Sequence, residues 1–219
     1  MFIGHYAPAL VAAAHPRAPR LGILFAAAQL IDIGFATLLL SGAEAMRVVP
    51  GISAMNPMDL YHMPFTHSLL GTAVWATGFG LIVGAMLRSV AGGVIAALVV
   101  LSHWFADWLV HIPDLTLWGS GPRLGLALWN QPWIAMPLEL ALISGGFWWL
   151  ARSRGGMSRR LWTLLGILLA VQAVNWFGPQ DSAYSPAIPA TMLTAYSLLI
   201  ALAVWADAPH RAATRKMTI

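Results

Sequence analysis

Cysteine is absent from this chain, which excludes disulfides and every thiolate metal site. Charge is scarce. Asp, Glu, Lys and Arg together make up 9% of 219 residues, against about 25% in a soluble domain. So few charges cannot cover a globular surface in water. Acidic residues number only eight, so an acid set within apolar sequence stands out. What the chain has instead is apolar mass: 59% of it is hydrophobic. These features describe an integral membrane protein with no room for a sizeable soluble domain. The net charge of +4 raises the question of nucleic acid. The basic residues, however, sit at the ends of apolar runs, where membrane topology accounts for them, and no nucleic-acid partner is expected.

Runs of about 20 apolar residues read as membrane spans. Six are expected: Leu21–Leu40, Thr66–Leu87, Ala91–His111, Trp133–Leu150, Leu161–Val174 and Ala190–Ala206. Thr66 after Pro64 predicts the N-cap of the second, and Pro113 closes the third. Of the twelve Lys and Arg residues, ten fall on one side: Arg17, Arg20, Arg88, Arg152, Arg154, Arg159, Arg160, Arg211, Arg215 and Lys216. Only Arg47 and Arg123 fall on the other. The positive-inside rule then places both termini in the cytoplasm and turns the loops Ser41–Phe65, Ile112–Pro132 and Asn175–Pro189 outward. The expected fold is all-α: a polytopic membrane helix bundle of about six spans plus an N-terminal half-helix, forming one integral membrane domain over residues 1–219.

The half-helix follows from Met1–Ala14, which is apolar but too short to span. It lacks the basic start of a signal peptide, so cleavage is not expected. Run back from Arg17 and Arg20 at the inner surface, a helix of roughly 12 residues reaches about 18 Å, which puts His5 near the middle of the bilayer. Irregular backbone at that depth requires burial in protein or a wet cavity.

Within Leu101-Ser-His-Trp-Phe-Ala-Asp-Trp-Leu-Val-His111, His103, Asp107 and His111 recur every four residues and share one side of a helix. Asp32 lies halfway along the first span, and His67 at the outer start of the second. With His5, these groups occupy a similar slab, from mid-membrane to the outer boundary. Ionisable groups there are costly and point to function. A shared cation would offset the cost, and imidazole with carboxylate suits zinc, manganese or iron. Gln29, one turn before Asp32, is placed to orient it. Taken singly, a membrane histidine also serves as a hydrogen-bonding partner between helices. The tryptophans near the outer loops read as an interfacial belt, and Gly80 and Gly84 as a GxxxG packing match.

The order His5, Asp32, Thr66-His67-Ser68, His103-xxx-Asp107 resembles the YdjM-type family of membrane-bound, metal-dependent hydrolases, distant relatives of zinc-dependent phospholipase C and single-strand-specific zinc nucleases. The resemblance covers about the first 115 residues. It implies that His5, Asp32, His67, His103 and Asp107 are metal ligands, with His111 an additional one, holding one to three zinc ions. It also implies a hydrolase of the bacterial inner membrane, its site toward the outer face. There Asp107, His111 and Tyr61 would serve the chemistry, while Arg123, Asn130 and His62 would bind the headgroup of a phospholipid or other phosphoester amphiphile. Two other readings fit the same residues: a metal or proton carrier, or a structural membrane protein whose polar groups tie helices together. Homo-oligomerisation is left open.

Overall fold

A computed structural model describes the backbone of residues 1–217 and the side chains of residues 1–208. Arg211, Arg215 and Lys216 therefore lie outside the described side chains. A 3-10 turn, Ile3–His5, opens the chain and runs into the short helix α1 (Tyr6–Ala12). Then follow α2 (Leu21–Ser41), strands β1 (Ala45–Val48) and β2 (Met58–His62), α3 (Leu69–Leu87), α4 (Val90–Val110), α5 (Pro132–Arg154), α6 (Arg159–Phe177) and α7 (Ala187–Met217). Six of these helices, α2 to α7, are long and apolar enough to cross a membrane. The protein is an all-α membrane helix bundle with one small antiparallel hairpin.

Local sequence sets most of the helix ends. Ser68, Ser89 and Ser158 cap α3, α4 and α6, each side chain accepting a backbone N–H three residues on. Gly42 and Gly155, both in the left-handed region, terminate α2 and α5. The cap of α3 corrects the expectation for Thr66, whose hydroxyl donates instead to Glu44. Consequently Thr66 and His67 lie just before the helix rather than in its first turn. The sixth helix is also longer than the expected Leu161–Val174, because Trp176 and Phe177 extend it. The expected loop Ser41–Phe65 contains the hairpin, with Arg47 opposite Asp59 and their side chains paired at 2.6 Å.

Helices α3 and α4 form a hairpin of their own, packed through glycines. A Cβ at Gly80 would fall 2.9 Å from the Gly93 carbonyl, so this approach requires both glycines. The core is built around α1 and α2, where Ile3, Tyr6, Leu10, Leu24, Phe25 and Ile31 are fully enclosed. The N-terminal segment thus inserts into the bundle instead of lying on it. Its backbone N–H groups find partners there: Phe2 and Gly4 donate to Glu139 Oε1 at 2.6 and 3.0 Å, and Ile3 donates to Gln172 Oε1 at 3.3 Å. These bonds give partners to N–H groups that would otherwise be left unpaired inside the bundle.

Candidate metal centre

Asp107 is one turn, and His103 two turns, from the hairpin end of α4, on the face that meets α1 and α2. Asp32 comes from α2, His67 from the segment capped onto α3, and His5 from the inserted N-terminal turn. Four imidazoles turn Nε2 toward two carboxylates. His103 Nε2 lies 3.0 Å from Asp107 Oδ2 and 3.5 Å from Asp32 Oδ1. His67 Nε2 lies 3.7 and 3.5 Å from the same two oxygens. On the other oxygen, Asp107 Oδ1, His5 Nε2 closes to 3.0 Å and His111 Nε2 to 3.4 Å. The Met1 amino group also reaches Asp107 Oδ1, at 2.9 Å. All four histidines and Asp107 are buried.

These spacings suit the coordination of a cation. Zinc bonds nitrogen and oxygen at about 2.1 Å, so neighbouring ligands on a tetrahedron sit about 3.4 Å apart. The six imidazole–carboxylate contacts span 3.0 to 3.7 Å. None is an aligned hydrogen bond, and His5 Nε2, His103 Nε2 and Asp107 Oδ2 are buried without a hydrogen-bond partner. Orphaned buried acceptors facing one another are strongly unfavourable unless something positive sits between them. Within each of the sets His5–His103–Asp107 and Asp32–His67–His103, the donor atoms all lie within 4.8 Å of one another. The residues present fit a divalent cation.

A second layer of contacts fixes which nitrogen is bare. His103 Nδ1 donates to the Ala28 carbonyl at 2.8 Å. Because the Thr66 hydroxyl spends its proton on Glu44 Oε2 at 2.7 Å, it offers His67 Nδ1, 2.9 Å away, only a lone pair. His67 Nδ1 is therefore the protonated nitrogen. His111 Nδ1 is held by Asp114 Oδ1 at 3.0 Å. In all three rings the proton sits on Nδ1 and the Nε2 lone pair faces the centre, the arrangement metal-bound histidines adopt. Glu44 also accepts the N–H groups of Phe65 and Thr66, fixing the backbone that carries His67.

A cavity of about 310 Å³ opens onto the centre from the hairpin end. Asp32, His67, Asp107 and His111 form its polar floor. Its walls are largely apolar and include Phe35 of α2, Val171 and Val174 of α6, and Met192 and Ala195 of α7. Trp129 lies against the His111 ring at 4.2 Å between centroids, and Tyr196 donates to Asp32 Oδ2 at 3.2 Å.

All six expected ligands, His5, Asp32, His67, His103, Asp107 and His111, thus meet in one place. The other candidates do not join them. Tyr61, His62 and Arg123 line a separate polar depression of about 180 Å³, and Arg123 donates to the Tyr61 carbonyl. Asn130 accepts from the Ala54 N–H. Gln29 is buried one turn before Asp32, with both amide atoms unpaired. Sequence reading missed the supporting residues Glu44, Glu139 and Gln172 and the role of Asp114. For Glu139 a signal existed, a lone carboxylate inside an apolar span. Glu44 and Asp114 lie in loops without periodicity. Compared with known protein families, with curated proteins and with solved structures, the chain matches none of them.

Proposed function

We propose that this protein is a metal-dependent hydrolase of the bacterial inner membrane. It acts on a phospholipid or another amphiphilic phosphoester, with zinc as the resident metal. One observation carries the reading: buried imidazoles and carboxylates converge at ligand spacing with their facing atoms left without hydrogen bonds. The sets Asp32–His67–His103 and His5–His103–Asp107 each gather three donors for an ion, with His103 common to both. A three-donor set leaves a position free for water. Such ions lower the pKa of a coordinated water toward 7 and polarise a phosphoryl oxygen.

The protein's own groups do the rest. Asp107 faces His67 and His103 with Oδ2 and His5 and His111 with Oδ1, and so ties the four imidazoles to one another. The His–Thr–Glu and His–Asp contacts fix ring orientation, which is typically worth 10–100-fold in metal affinity. Trp129 covers the His111 ring and keeps bulk water off it. The substrate class follows from the cavity, where a polar floor meets apolar walls drawn from α6 and α7. That arrangement suits a headgroup whose chain remains in the lipid. The arginine distribution supports an orientation with both termini in the cytoplasm and the cavity facing the outer leaflet. The residue order, which resembles that of membrane-bound metal hydrolases, supports the reaction type.

Elemental analysis of purified protein, paired with turnover of labelled phospholipid in vesicles, tests the reading. Wild-type protein is expected to carry metal and release a water-soluble headgroup product, and H103A and D107A to lose both. Full metal retention by both variants would overturn the metal centre. Metal uptake into liposomes without any phosphoester turnover would overturn the hydrolase in favour of a carrier.

A further inference from the structure

Five of the eight acidic residues supply no metal ligand yet are buried: Glu44, Asp59, Asp114, Glu139 and Asp207, of which Asp59 pairs with Arg47 on the hairpin. Glu44 and Asp114 orient His67 and His111. Asp207 binds Arg154 and the Leu21 N–H at the opposite end of the bundle. Glu139 is different. It stands mid-bundle on α5, and its hydrogen-bond partners are amides: Oε1 takes the N–H groups of Phe2 and Gly4, and Oε2 takes Gln172 Nε2 at 3.3 Å. Gln172 in turn returns its Oε1 to the Ile3 N–H. Three successive backbone N–H groups, just before His5, are thereby fastened to α5 and α6.

A buried carboxylate is expensive; this one is held by amides with the Met1 ammonium as the nearby charge, and the position has a geometric consequence. His5 makes no hydrogen bond through either ring nitrogen. Unlike His67, His103 and His111, it has no group behind Nδ1 to steer the ring. Its place, stacked on His103 at 3.7 Å between centroids, depends on where its backbone is held. That backbone is held by Glu139 and Gln172.

We infer that Glu139 and Gln172 are positioning residues for the metal centre: by clamping the N–H groups of residues 2–4 they deliver the His5 imidazole to Asp107. This rests on the metal reading proposed above and extends it, because helices that supply no ligand then control how tightly the centre binds its metal. Glu139 acts as a hydrogen-bond acceptor, not as a ligand, and this distinction is open to experiment.

Full-length protein, stripped with chelator in detergent, is titrated with Co²⁺ and followed by visible absorption. H5A and E139A are each expected to weaken binding by at least tenfold. The double variant H5A/E139A should bind no more weakly than H5A alone, since the clamp works only through His5. E139Q keeps a carbonyl oxygen for Phe2 and Gly4 and should recover most of the affinity. Q172L, an independent route to the same clamp, should lose affinity even if E139A fails to fold. Wild-type binding by E139A or Q172L would overturn the inference. So would an E139Q variant as weak as E139A, which would make the charge itself the ligand, or fully additive losses in the double variant. Wild-type protein that takes up no Co²⁺ overturns the metal reading itself, whereas normal wild-type uptake with an unaffected clamp variant overturns only the positioning role.

Discussion

The two halves of this chain contribute differently to one site. Among the described residues, every candidate metal donor comes before residue 112, from the N-terminal turn, α2, the segment before α3, and α4. The second half contributes Asp114 behind His111, the amide clamp on the N-terminal segment, and most of the cavity wall. The first half is a set of donors; the second turns the set into a place. Comparing them shows that ligand identity and ligand position are encoded separately, the one in short motifs and the other in contacts made across more than a hundred residues.

Deleting a donor is the severest test of this division. His67→Ala should reduce bound metal by at least a hundredfold in affinity with the helical content intact, as read by elemental analysis and circular dichroism. Unchanged metal content would remove His67 from the centre. Next in size is the support behind that donor. Thr66→Val leaves the imidazole in place but removes the hydroxyl that fixes its tautomer, and a 10–100-fold loss of affinity is expected. Affinity equal to wild type would show that the ring needs no such steering. The smallest effect belongs to the wall. Ala195→Trp narrows the cavity without touching a donor. It should leave metal content unchanged and raise KM for a long-chain substrate by about tenfold, in line with the cost of crowding a fitted apolar pocket. Loss of metal in this variant would break the separation between donors and walls.

How much of this was legible in the sequence follows the same division. Asp32, His103 and Asp107 stand out because a carboxylate or imidazole in an apolar run is too costly to persist without a task. His5 stood out because Met1–Ala14 is apolar yet too short to span. The helices were legible for the same reason, since length and apolarity alone identify a span. Cap choice was less so. Thr66 and Ser68 are both good N-caps, and Glu44, 22 residues upstream, decides between them by taking the Thr66 hydroxyl. No local pattern carries that contact. The hairpin was hidden in a loop whose strands are four and five residues long. Gln172 was invisible as a clamp because a single amide in a membrane helix has many uses, and only the fold shows three N–H groups and a carboxylate gathered around it.

The clamp on the N-terminal turn sets the order in which this molecule comes into being. His5 precedes Gln172 by 167 positions. Until α5 and α6 have been inserted, the amides of residues 2–4 have no partner in the lipid, and the earliest ligand waits for the nearly finished chain. A nascent protein truncated after α4 holds all six donors and still has nowhere to put the first of them. A metal held at this centre would therefore report that α5 and α6 are in place.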